Sequence, residues 1–138
     1  MYPDAPIYTL VCSREDIHPE FRTRTIHTSL LQAMPGAPKR FRHWLPLFGL
    51  AIESFDLSAF DWVISTSHCV AKGIKTRPNQ PHLSYIHTPM RYLWGELPSY
   101  LPSGMLGGCI RPGVERAVWP LRRWDVKSAQ RPDLLLAN

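Results

Sequence analysis

The chain has 138 residues with 16 Lys and Arg against 11 Asp and Glu, a formal net charge of +5, and is 44% hydrophobic and 20% charged. That balance is ordinary for a chain with a packed core, and it excludes wholesale disorder, a collagen-like repeat and a disulfide scaffold. The length suits one modest domain, whereas a two-domain enzyme that closes on its substrate needs about twice as much. Fourteen prolines, about twice the ordinary usage, predict short elements with rigid joints.

The N-terminal residues 1–10 contain Asp4 and lack a basic start followed by a long apolar stretch, so no signal peptide is legible. A first strand is expected at residues 7–11 (IYTLV), where β-branched and aromatic side chains dominate. Residues 44–52 form the longest dense apolar stretch, but Pro46 and Gly49 break it well short of a membrane span. Leu47, Phe48, Ala51, Ile52 and Phe55 instead make one helical stripe, with Pro46 in its first turn and Asp56 and Ser58 at its exit. Strands are then expected at 62–65 (WVIS) and 83–86 (LSYI). Residues 97–113 are rich in Pro and Gly and read as a loop. A second helical stripe runs through Val114, Ala117, Val118, Leu121 and Trp124, with Pro120 expected to bend it. A last strand is expected at 134–137, after Arg131-Pro132-Asp133.

Strands alternating with helical stretches give an α/β fold with a Rossmann-like, mainly parallel sheet flanked by helices. The strands show little polar alternation, which predicts cover on both faces. Each strand runs out into small or polar residues: Cys12-Ser13, Ser65-Thr66-Ser67-His68, His87-Thr88-Pro89 and Asn138. Ligands of open parallel sheets bind beyond such carboxyl ends. In residues 65–73 (STSHCVAKG), Ser67 is placed to cap a short helix, with Lys72 one turn later. Free amides there would suit a phosphate or sugar hydroxyl, and a structural cap beside a surface lysine is an equal alternative. In residues 85–94 (YIHTPMRYLW), a strand ends at His87 and Pro89 opens a helix carrying Arg91 and Tyr92. Imidazole, guanidinium and aromatic rings in that order suit sugar recognition, although a lone His is more often a structural hydrogen-bonder.

Several chemistries lack their patterns. There is no P-loop, G-x-G-x-x-G, G-x-S-x-G or H-E-x-x-H motif, and His82 and His87 are spaced to opposite faces of one strand, so no metal site is expected. Cys12, Cys69 and Cys109 are odd in number and widely spaced, which fits a reducing, cytoplasmic setting. Residues 1–69 hold six basic and seven acidic side chains, and residues 70–138 hold ten and four. The basic second half favours an anionic partner, whether a phosphate-bearing small molecule, an acidic membrane surface or nucleic acid, and a merely solvated basic face is the alternative.

Taken together, YPDAPIYTL at 2–10, TIHTSLLQ at 25–32, LPLFGLAIESFDLSAFDWVISTSHCVAKG at 45–73, SYIHTPMRYLW at 84–94 and LRRWDVKSAQRPDLLLAN at 121–138 resemble the N-terminal half of family 4 glycosyltransferases of GT-B architecture. The resemblance covers nearly the whole chain. It implies retaining transfer of a sugar from a nucleotide-sugar co-substrate to a carbohydrate or lipid-linked acceptor, with no cofactor and no bound metal. His87 would be the catalytic-side residue facing the reacting sugar, and Ser67, His68, Thr88, Arg91 and Asn138 would line the acceptor side. The family pattern also has a strand and glycine-rich loop before the stretch matching 2–10, and a donor domain after the stretch matching 121–138. The expectation is therefore one partial N-terminal domain over residues 1–138, inactive alone, cytoplasmic and in peripheral contact with a membrane. The competing expectation is a non-catalytic basic module for nucleic acid or an anionic membrane surface, suggested by residues 40–44 and 122–124; under the glycosyltransferase reading, nucleic acid is not the partner.

Overall fold

A computed structural model describes residues 4–67, 69–95 and 105–138, with backbone alone at residues 92 and 105–110. The chain is α/β and forms two compact units, Met1–Phe55 and Asp56–Asn138. Each has its own small parallel sheet.

In the first unit, β1 (Ile7–Thr9) pairs in parallel with β2 (Ile26–Thr28), with Tyr8 opposite His27. The expected strand at 7–11 stops at Thr9, where side-chain hydroxyls take the next carbonyls. Ser29 Oγ donates to Leu10 O at 2.7 Å, and Thr9 Oγ1 donates to Val11 O at 3.2 Å. A short 3-10 turn, Leu30–Ala33, follows β2, and its Gln32 side chain ties both backbone groups of Cys12. The stripe expected from Leu47 divides into a 3-10 segment, Phe41–Leu47, and α1 (Phe48–Glu53). Pro46 lacks the N–H that an α-helical bond requires, which accounts for the tighter winding before Phe48. Leu31, Phe48, Ala51 and Ile52 are the buried apolar residues of this unit.

The second unit is built on β3 (Val63–Ser67), β4 (His82–Ile86) and β5 (Leu134–Ala137), in the order β3-β4-β5 and all parallel. Two helices accompany them, α2 (Arg91–Trp94) and α3 (Met105–Ser128). The loop expected at 97–113 is corrected from Met105 onward, where the chain is already helical, while residues 97–104 lie outside the described residues. Helix formation is cooperative, so the amphipathic stretch downstream can carry a helix back through Gly107 and Gly108 at a cost of about 1 kcal/mol each. Pro112 and Pro120 both lie inside this one helix.

Alternation along the strands divides the sheet into two unlike faces. Val63, Ser65, His82 and Ser84 are buried. The 3-10 turn Ala71–Gly73 packs against β3 and β4, and α3 packs against that turn and α2. On the other face Ile64 is 55%, Leu134 49% and Leu136 41% exposed. Cover on both faces, expected from the apolar runs, is thus not what the described residues show. The core of this unit joins Leu57, Val63, Val70, Ile74, Met90, Leu93, Val118 and Leu121.

Candidate functional site at the carboxyl ends of the second sheet

Three parallel strands share one carboxyl edge, and the register aligns their ends: Ser67 lies opposite Ile86, and Ile86 opposite Ala137. The ladder runs one step further, as His87 N donates to Ser67 O at 3.1 Å and Asn138 N donates to Ile86 O at 3.3 Å. Ser67, His87 and Asn138 therefore occupy one rim of the sheet.

His87 is exposed, and its Nε2 lies 2.9 Å from Thr66 Oγ1. The Tyr85 ring meets the imidazole edge-on at 4.9 Å. Tyr85, His87 and Thr66 all belong to the open face, so the ring is oriented while one side of it remains available to a ligand. Thr88 is half-buried beside it, and Arg91 is exposed at the start of α2, just after buried Met90. Asn138 is exposed at the end of β5. His68 lies outside the described residues, and Tyr92 is described by its backbone alone.

Ser67 serves the fold. Its Oγ accepts from the Cys69 amide at 3.2 Å and the Ala71 amide at 3.3 Å. Amide donors imagined as free for a phosphate are thus used internally, which favours the structural-cap alternative for residues 65–73. Lys72 departs from expectation in the same way. It is buried, not on the surface, and its Nζ pairs with Asp125 Oδ1 at 2.5 Å, while the Trp94 indole donates to Asp125 Oδ2 at 2.9 Å. A readable signal lay on α3, where Val118, Leu121, Asp125 and Ser128 fall on one buried helical face. A carboxylate in such a stripe demands a buried cation.

The two strand histidines do face opposite ways. His82 is buried, with Nε2 2.8 Å from Ser65 Oγ, which in turn donates to Ser84 Oγ at 2.9 Å. Nδ1 is left buried with no hydrogen-bond partner among the described residues. Desolvation lowers the pKa of His82, and the nearby Asp133 carboxylate opposes this in part. The same carboxylate accepts from His82 N at 2.8 Å and ties the starts of β4 and β5. His82 is therefore a structural histidine.

The first unit also has a cavity of about 570 Å³ flanking β2, lined by residues including Cys12, Arg14, Ile26, Thr28, Gln32 and Lys39. Cys12 and Ser13, the polar tip expected after the first strand, line it, while none of the residues assigned to the sugar site does. Among the described residues, no group of three or more His, Cys, Asp and Glu side chains is arranged to hold a metal ion, and no helix is long and apolar enough to cross a membrane. No family model, no curated protein and no solved structure matches this chain.

Proposed function

We propose that this chain supplies the acceptor-side wall of a retaining glycosyltransferase that uses a nucleotide-sugar donor. The reading rests on one observation above all: His87, exposed and oriented by Thr66, stands on the same sheet rim as Ser67 and Asn138. Carboxyl edges of parallel sheets are where ligands of open α/β folds bind. In this reading the anomeric carbon of the donor sugar parts from its phosphate oxygen and bonds to an acceptor hydroxyl, the nucleoside diphosphate leaving with the bonding electron pair and taking up the hydroxyl proton.

His87 is placed to hydrogen-bond the reacting sugar, with Thr66 fixing its ring. Thr88 and Asn138 provide hydroxyl and amide groups for the acceptor along the same rim, and Arg91, at the start of α2, is assigned to the acceptor side with them. Ser67 contributes by holding the following turn, since its hydroxyl is already committed to two amides. The diphosphate of the donor is assigned to a second α/β domain, so the chain by itself is inactive in this scheme, and the reaction is assigned no metal. Its setting is cytoplasmic, with the acceptor either a free carbohydrate or lipid-linked.

The test has two parts. The reading frame after codon 138 should encode a second α/β domain, and in the joined enzyme His87→Ala should cut sugar transfer by about a hundredfold or more with the melting temperature unchanged. A variant that transfers sugar at the wild-type rate removes His87 from the reaction and the proposal with it.

A further inference from the structure

The outward face of α3 is not explained by a sugar site. Arg116, Trp119, Arg123, Val126 and Lys127 recur at i, i+3, i+7, i+10 and i+11 and are all exposed. Trp119, near the middle of α3, and Val126, in its last turn, are each 54% exposed, which sets apolar side chains among the cations of this face. The Arg123 guanidinium lies 4.9 Å from the centre of the Trp119 ring, which holds indole and cation together. The helix carries five basic residues and two acids. Of the acids, Asp125 is buried against Lys72 and Glu115 is taken by Arg111 at 2.8 Å.

From this face we infer that the chain docks on an anionic membrane surface, with α3 lying along the headgroups, Trp119 and Val126 entering the interface, and Arg116, Arg123 and Lys127 on the lipid phosphates. Charge complementarity requires an anionic partner. The pairing of an amphipathic indole with arginine and an exposed valine favours a bilayer, where the apolar groups leave water, over a nucleic-acid backbone, which would leave Val126 exposed. The inference does not depend on the sugar-transfer reading, since none of its residues lies on the strand-end rim.

Flotation of the full chain with vesicles on a density gradient tests it. Wild type is expected to float with phosphatidylcholine vesicles containing phosphatidylglycerol, and to stay behind with pure phosphatidylcholine or at high salt. Arg116→Gln combined with Lys127→Gln should weaken partition by about twenty-fivefold, at roughly fivefold per charge. Trp119→Ala should also reduce it, with the helical circular dichroism of both variants unchanged. Absence of flotation overturns the inference, as does flotation that ignores both variants. Displacement of the protein from vesicles by duplex DNA would reassign the face to nucleic acid and overturn it too.

Discussion

The Lys72 ammonium sits 2.5 Å from Asp125 Oδ1, and both side chains are less than a tenth exposed. A pair so far from water is held because each charge is the other's compensation, with the Trp94 indole as a second donor to the carboxylate. Lys72→Met alone is expected to destabilise the fold by about 3–5 kcal/mol by stranding the carboxylate. Lys72→Met with Asp125→Leu should recover most of that loss. Urea unfolding of the two variants checks the prediction, and a single variant costing under about 1 kcal/mol would contradict a buried ion pair.

Gly73 should tolerate no side chain. A methyl there would run into the Trp124 ring and would stand 3.1 Å from Ser128 Cβ. Gly73→Ala is expected to cost about 1–3 kcal/mol by overpacking, and the cost should shrink in a Trp124→Ala background. Thermal melts of the single and double variants measure the coupling.

The buried His82 predicts an acid-sensitive fold. Its pKa is lowered in the folded state, chiefly by desolvation, so the unfolded chain takes up the proton first as pH falls. The stabilisation from neutral His82 is complete above the ordinary histidine pKa of 6.5 and is lost as pH drops below it toward the lowered folded value. Urea midpoints should therefore decline from pH 7.5 toward pH 5.5, and His82→Gln should flatten that slope. An equal slope in the variant would assign the decline to other groups.

The open sheet face predicts self-association. Ile64, Leu134 and Leu136 lie exposed on one face, and such apolar patches drive aggregation. Ile64→Thr with Leu136→Thr should raise the concentration at which the protein remains monomeric by light scattering, while changing the melting temperature little.

Much of the second unit was legible because its strands are dense apolar runs bounded by polar tips. Leu134–Ala137 stands where the preceding Arg131-Pro132-Asp133 places it, since leucine and alanine alone suit a helix as well, and Val63–Ser67 and His82–Ile86 overlap their expected positions closely. The rim that gathers Ser67, His87 and Asn138 follows from parallel topology alone. β2 was not legible, since three residues are too few to show a period. The early turns of α3 were hidden by glycine and proline, whose local preference yields to a cooperative helix. Ser67 caps the following turn as its position suggested, whereas Lys72 was misplaced for a different reason. Its partner Asp125 is distant in sequence, and a polar residue looks the same in a sequence whether it meets water or a buried acid.

Sugar binding at the strand-end rim is measured most directly by amide and imidazole chemical shifts of the labelled chain during titration with simple methyl hexosides. The account predicts shifts concentrated at His87, Thr88 and Asn138 that saturate together and vanish in His87→Ala, with none on adding free nucleoside diphosphate. Shifts confined to residues away from this rim, or unchanged in His87→Ala, would contradict it.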